Sequence, residues 1–308
     1  PYSKSPCRGA QFHSWTLNPS PIEPGALLFM NNYLNDISAT IGAGYNTNEH
    51  GAFFRASLSY AKLFPALTLS ADRKYRTANY LMPDHTLANL NYAETVLEGS
   101  VAVPLNWIKG NYTTSLQPNL DYAYHITEGA TITQPNVTLD LGSSNYSTVT
   151  GGLSFAILRR TALQNIAPRL GLSVSASHIE NLTENANHKF VGLGNIFLPG
   201  IGRNHSLKLT GAYQYEPLSN MFQELDDFQY SRGYLLPIND DFIRFSVDYG
   251  FPLVYPDWGF GGITYFKRVR ANAFYDYGKG SIDQLDRENT YSSAGLEIIF
   301  DNVFFNVL

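Results

Sequence analysis

One arginine and two aspartates in the last third of the chain could form a charge cluster. Arg232 lies in the longest stretch without strand periodicity, and Asp248 and Asp276 lie in two segments that alternate apolar and polar residues. A guanidinium binds carboxylates through a fixed fork of hydrogen-bond donors. Such a cluster needs a place that lipid does not reach, and the inner wall of a β-barrel provides one. The pattern therefore predicts that the arginine meets both aspartates inside a barrel.

The residues next to these charges form short motifs. Gly233 and Tyr234 complete the loop tripeptide Arg-Gly-Tyr, and Phe274 and Gly278 flank the second aspartate in Phe-Tyr-Asp-Tyr-Gly. The first glycine would permit a sharp loop turn, and the second would permit close approach of another backbone segment. Each motif alone is common, whereas the ordered set is more specific. The alternative is that the arginine is a solvated loop residue and that both aspartates line a wet lumen.

The composition indicates which elements must position these residues. The chain has 308 residues, a formal net charge of −5 and only 15% charged residues. Aromatic residues reach 14%, with 21 tyrosines and 19 phenylalanines, which is typical of β-structure with polar turns. The length allows one large β domain or two ordinary ones. The mild acidity and the lack of a long Lys/Arg run argue against a nucleic-acid partner.

Alternation of apolar and polar residues recurs along most of the chain. Ile243, Phe245 and Val247, for example, alternate with Arg244 and Ser246. This period of two residues is typical of strands with two unlike faces. Twelve segments are predicted as strands, with a weaker one at 25–34: 36–46, 51–60, 64–75, 88–103, 112–126, 147–160, 167–180, 205–216, 241–252, 258–266, 267–278 and 290–301. The stretches 128–144 and 216–240 are predicted to be loops.

Alternation alone does not say which face is wet, because a soluble sandwich turns its apolar face inward and a membrane barrel turns it towards lipid. Three features favour the barrel. The polar face carries many ionisable residues, the aromatics cluster near strand ends, and several segments reach the length of a membrane-spanning strand. We therefore predict an all-β fold, an antiparallel transmembrane β-barrel of about 12–16 strands. A soluble β protein is the alternative.

The ordered motifs of the last quarter resemble the C-terminal half of the BamA/TamA/FhaC superfamily of outer-membrane barrels, the bacterial surface antigen type. The resemblance covers residues 230–308, and the earlier part matches only as generic barrel strands. It implies that the long loop folds into the lumen with Arg232 at its Arg-Gly-aromatic tip. Asp248 would take an acidic place where the family often has Glu. Asp276 would be the aspartate of a Phe-x-Asp-x-Gly motif.

The resemblance also implies a location, a role and a set of partners. The location is the bacterial outer membrane, and the role is the insertion or export of other proteins without enzymatic chemistry. The implied partners are outer-membrane lipid, client or partner outer-membrane proteins, and periplasmic or lipoprotein subunits. Two other functions stay open: a structural or docking barrel within a larger outer-membrane complex, and a passive pore.

We expect the chain to divide into residues 1–24, a linker or plug segment, and residues 25–308, the barrel. The family has further strands after the one at 290–301, so we expect the last strands of the barrel to be missing here. The seven histidines show no metal-ligand spacing on one face, and the sequence contains no nucleophile elbow or phosphate-binding glycine loop. We therefore expect no catalytic residue, metal site or cofactor.

Overall fold

The computed structural model describes most of the chain, and its regular elements are β-strands. The described residues are 11–18, 20, 23–47, 50–81, 87–134, 137–162, 164–183, 188–217, 228–234, 239–261, 263–283 and 286–304. Among them, no helix is long and apolar enough to cross a membrane.

Sixteen strands are formed by these residues. The first eight are β1 (Gln11–Asn18), β2 (Gly25–Asn31), β3 (Ile37–Asn46), β4 (Gly51–Tyr60), β5 (Ala66–Leu81), β6 (Leu87–Ala102), β7 (Leu105–Lys109) and β8 (Tyr112–Gln134). The others are β9 (Val137–Arg159), β10 (Gly171–Asn181), β11 (His188–Pro199), β12 (Ser206–Tyr215), β13 (Asp241–Val254), β14 (Trp258–Phe260), β15 (Thr264–Ile282) and β16 (Arg287–Phe304).

All strands join one antiparallel sheet in which neighbours along the chain are mostly neighbours in space. The path runs from β1 to β6, continues from β8 to β13, and then reaches β15, which pairs with both β14 and β16. The short strand β7 pairs with β8. Within the described residues, no ladder joins β1 to β16, so each leaves one edge unpaired. The predicted all-β, antiparallel barrel fold is confirmed, with a strand number at the upper end of the predicted range.

The two faces of the sheet differ as the alternation predicts. The outward face exposes large apolar side chains, including Leu69, Leu120, Leu296, Ile298 and Phe300. In a transmembrane barrel this is the surface that lipid covers, and the inner face carries the polar groups. Ionisable side chains in the described parts of the strands pair with one another across the inner wall, as Arg76 does with Glu94 and Arg244 with Asp276.

Connections alternate between two ends of the sheet. We call the end that carries the long connection 216–240 the loop end, and the opposite end the turn end. Connections at the turn end include 32–36, 160–170 and 200–205. Consecutive antiparallel strands require this alternation.

Four strands, β5, β6, β8 and β9, extend further at the loop end than β4 and β10, which flank them. β8 and β9 contain 23 residues each, and β9 pairs with β10 only as far as Thr148. The predicted loop at 128–144 was therefore wrong, since most of it belongs to these strands. Gly129 and Gly142, with φ of 61° and 73°, lie where the β8–β9 register shifts. Bulges absorb these turn-type residues without ending a strand.

The sequence analysis also missed three strands, the short β7 among them. β11 was not predicted, because Gly192 and Gly194 stand where apolar side chains would mark its outward face. Residues 11–18 form β1 rather than part of a linker or plug, and a register shift between Phe12 and Ser14 interrupts their alternation. Residues 1–10 of the predicted linker lie outside the described residues.

Candidate functional site

Arg232 attaches the long connection to the inner wall of β13, β15 and β16. Its Nη2 donates a hydrogen bond of 2.6 Å to Oδ1 of Asp248 on β13. Its Nη1 lies 3.4 Å from Oε1 of Glu297 on β16. Its guanidinium carbon lies 4.0 Å from the ring centroid of Phe274 on β15, a cation–π contact. One side chain therefore touches three neighbouring strands.

Asp276 is the buried centre of this cluster, with none of its surface exposed. Its Oδ2 accepts a 3.0 Å hydrogen bond from the backbone N–H of Arg232 and lies 3.5 Å from that residue's Nε. Its Oδ1 accepts from Nη2 of Arg244 at 3.2 Å and from the hydroxyl of Ser246. Two guanidinium groups thus balance one buried carboxylate, which keeps the charge compensated away from water.

Arg244 is a second anchor that the sequence analysis did not assign to the site. It donates to the backbone oxygen of Gln229, so the loop is held at a point three residues before Arg232 as well. Asn272 was also missed, and its amide donates to Oδ1 of Asp248 at 2.8 Å and to Oε2 of Glu297 at 2.9 Å. The available signal was the strand period, because these residues alternate on the same polar face as the aspartates.

The two residues after the arginine complete the loop tip. Gly233 has φ of 86°, a left-handed conformation that favours glycine. The hydroxyl of Tyr234 donates to the backbone oxygen of Ser292 at 3.1 Å and accepts from its N–H at 3.3 Å. The Tyr234 ring meets Tyr291 edge-on, with centroids 5.1 Å apart. The structure therefore brings all seven predicted site residues to one patch of the inner wall.

Gly278 lies where the loop passes close to the inner wall. A Cβ built at this position would lie 2.8 Å from Cζ of Phe242 and 2.9 Å from Oγ of Ser231. We expect Gly278→Ala to displace the loop and to lower the free energy of unfolding by about 1–3 kcal/mol. The measurement is chemical unfolding in detergent micelles, followed by tryptophan fluorescence. Gly151→Ala is the control, because a Cβ there meets nothing within 4 Å. Equal midpoints for the two variants would contradict the assigned role.

The arrangement holds a loop in place. Most charged atoms of the cluster face an opposite charge or a hydrogen-bond partner, whereas Nε of Arg244 has no hydrogen-bond partner among the described residues. The aromatic ring of Phe274 covers the guanidinium of Arg232. No group of three or more His, Cys, Asp or Glu in the described part of the chain could hold a metal ion.

A second buried cluster, which sequence reasoning missed, lies on the inner face of β5, β6, β8 and β9. Glu94 is 3% exposed and receives Nη1 of Arg76 at 3.0 Å, Nδ1 of His125 at 2.8 Å and the Tyr146 hydroxyl at 3.1 Å. The His125 ring stacks on Tyr146 with centroids 4.3 Å apart, and its Nε2 contacts the Thr148 hydroxyl at 3.1 Å. The contributing residues are far apart in sequence, so no local motif marks them.

Solved structures share this fold. The structure of BamA from Haemophilus ducreyi lacking POTRA domains 1–3 matches 92% of this chain with a TM-score of 0.58 and 12% identity. CdiB from Escherichia coli matches 90% with a TM-score of 0.59 and 13% identity. This chain spans 62% and 53% of the lengths of those two proteins. No protein-family model and no curated protein matches it. At such low identity the likeness shows a common barrel fold.

Proposed function

We propose that this protein is a bacterial outer-membrane β-barrel that aids the insertion or export of other proteins, and that it acts without chemical catalysis. The observation that carries the proposal is the Arg232 cluster, which fixes the long loop to the inner wall beside the edge strand β16. The barrel fold shared with BamA and CdiB supports it, as do the ordered motifs of the last quarter of the sequence.

The cluster connects the loop to β16, which has one edge unpaired within the described part of the chain. Glu297 of β16 contacts Arg232, while Asp248 and Asp276 hold the same arginine from the two neighbouring strands. An unpaired edge can accept an extended segment of another protein through main-chain hydrogen bonds. The pinned loop would therefore keep β15 and β16 in the shape that receives a client strand.

Three parts of the barrel suit three kinds of partner. The outward apolar face suits outer-membrane lipid. Client or partner outer-membrane proteins would meet the edges of β1 and β16, and periplasmic or lipoprotein subunits would meet the barrel from the periplasmic side. No cofactor is part of the proposed role.

The proposal is tested by depleting the protein in its source bacterium and quantifying the outer-membrane proteins by mass spectrometry. We expect a group of other barrels or exported proteins to fall, and expression of the wild-type chain to restore them. An unchanged outer-membrane proteome, together with stable partners in a pull-down, would contradict the proposal. That outcome would assign the barrel a docking role within a larger complex.

A further inference from the structure

The connection between β9 and β10 reaches strands that are not its neighbours. The backbone oxygen of Gln164 accepts hydrogen bonds from the Tyr255 hydroxyl at 3.2 Å and from Nη1 of Arg268 at 3.4 Å. The backbone oxygen of Asn165 accepts from the same Arg268 nitrogen at 3.0 Å. Tyr255 follows β13 and Arg268 belongs to β15, whereas β10 is separated from β13 by β11 and β12. The segment therefore crosses two intervening strands at the turn end.

This segment lies on the inner side of the sheet. Gly250 belongs to the polar face of β13, and a Cβ built on it would lie 3.5 Å from Cγ2 of Ile166 and 3.0 Å from Oγ of Ser206. Ser206 is the cross-strand partner of Gly250 on β12 and is only 6% exposed. Ile166 therefore sits over an inner-wall position that would otherwise face the lumen. We call residues 164–170 the strap.

Arg268 joins the strap to the edge strand. Its Nε donates to Oδ2 of Asp301 on β16, while its Nη1 holds the two strap oxygens. Arg270 donates to the other oxygen of Asp301 at 3.3 Å. Only about a tenth of the Arg268 side chain is exposed, so water competes little for these bonds. The position of β16 thus orients the group that fastens the strap.

We propose that the strap covers the β12–β15 side of the lumen at the turn end, and that the Arg268–Asp301 pair latches it to β16. A displacement of β16 away from β15 separates Asp301 from Arg268 and loosens the strap. The position of β16 and the opening of the lumen at the turn end are then coupled, because the Arg268 guanidinium contacts both Asp301 and the strap. This coupling is a property of the barrel alone and holds whatever client or partner the protein has.

The test measures how fast a thiol-reactive maleimide labels a cysteine beneath the strap. Ser206→Cys is introduced after Cys7, the single native cysteine, is replaced by serine. We expect Arg268→Ala and a variant with residues 164–169 replaced by Gly-Ser to label roughly tenfold faster than the parent. Asp301→Asn should label roughly threefold faster, since it keeps a neutral hydrogen-bond acceptor but loses the charge.

Two controls separate the latch from general loosening. Ser154→Cys, which is exposed on the inner face of β9, should be labelled at the same rate in the parent and in each strap or latch variant. Lys279→Ala, which breaks an exposed pair with Glu288 on β15 and β16, should leave Ser206→Cys labelling unchanged. If maleimide labels Ser206→Cys in the Gly-Ser variant no faster than in the parent, the strap does not cover this side of the lumen. If Ser206→Cys is labelled faster in Arg268→Ala but not in Asp301→Asn, the Arg268–Asp301 pair does not link the strap to β16.

Discussion

Asp276→Ala is expected to lower the free energy of unfolding by about 3–5 kcal/mol, the largest loss at the loop site. The carboxylate is fully buried and is contacted by the guanidinium groups of Arg232 and Arg244. Removing it takes from Arg244 the one carboxylate that it contacts among the described residues, while Arg232 keeps Asp248 and Glu297. The loop would also lose the acceptor for the Arg232 backbone N–H. Urea unfolding in vesicles, followed by tryptophan fluorescence, measures the change.

The matched control is Glu288→Ala. Glu288 also pairs with a cation across β15 and β16, but both partners are largely exposed, with Lys279 at 2.9 Å. Exposed pairs contribute about 0.2–1 kcal/mol, so this variant should unfold close to the wild type. Asp276→Asn should fall between the two, because it keeps an acceptor oxygen and loses the charge. If Asp276→Ala and Glu288→Ala unfold at the same urea concentration, the cluster does not stabilise the barrel.

Glu94→Ala is expected to lower the free energy of unfolding by a similar amount, about 3–5 kcal/mol, at the second cluster on β5, β6, β8 and β9. Glu94 is the common acceptor for Arg76, His125 and Tyr146, which come from three different strands. Its loss removes a carboxylate partner of a buried arginine and the link between β5, β6, β8 and β9. Thermal unfolding by circular dichroism measures the effect.

Glu128→Ala is the comparison for this second site. Glu128 pairs with Arg73 at 2.8 Å on the same group of strands, and both side chains are about half exposed. We expect a loss of about 0.2–1 kcal/mol from Glu128→Ala. A loss from Glu94→Ala no larger than that would show that the buried network does not hold these strands together.

The sequence predicted the barrel and the loop site because both depend on a period of two residues. Alternation identifies which face of a strand is polar, and Asp248 and Asp276 stand on that face. The tripeptide that carries Arg232 contains a glycine whose left-handed conformation suits the predicted sharp turn. The three residues therefore meet as predicted, while their contribution to function stays a prediction until it is measured.

The missed features depend on information that no local pattern carries. Bulges at Gly129 and Gly142 let turn-type residues continue a strand, so the extension of β8 and β9 was read as a loop. The Glu94 cluster and the strap join residues tens of positions apart, and only the register of the sheet brings them together. β11 was not predicted because its glycines contribute no apolar side chain to the outward face.

The central claim is that the barrel assists other membrane proteins and that the pinned loop is needed for this. The direct measurement is the rate at which an unfolded outer-membrane barrel protein inserts into lipid vesicles that contain the purified chain, together with any periplasmic subunits that copurify. We predict that wild-type protein accelerates insertion over empty vesicles, and that Arg232→Ala loses most of this acceleration while its strand content is unchanged. Insertion no faster with wild-type protein than with empty vesicles would contradict the account, and full activity of Arg232→Ala would contradict the role of the loop.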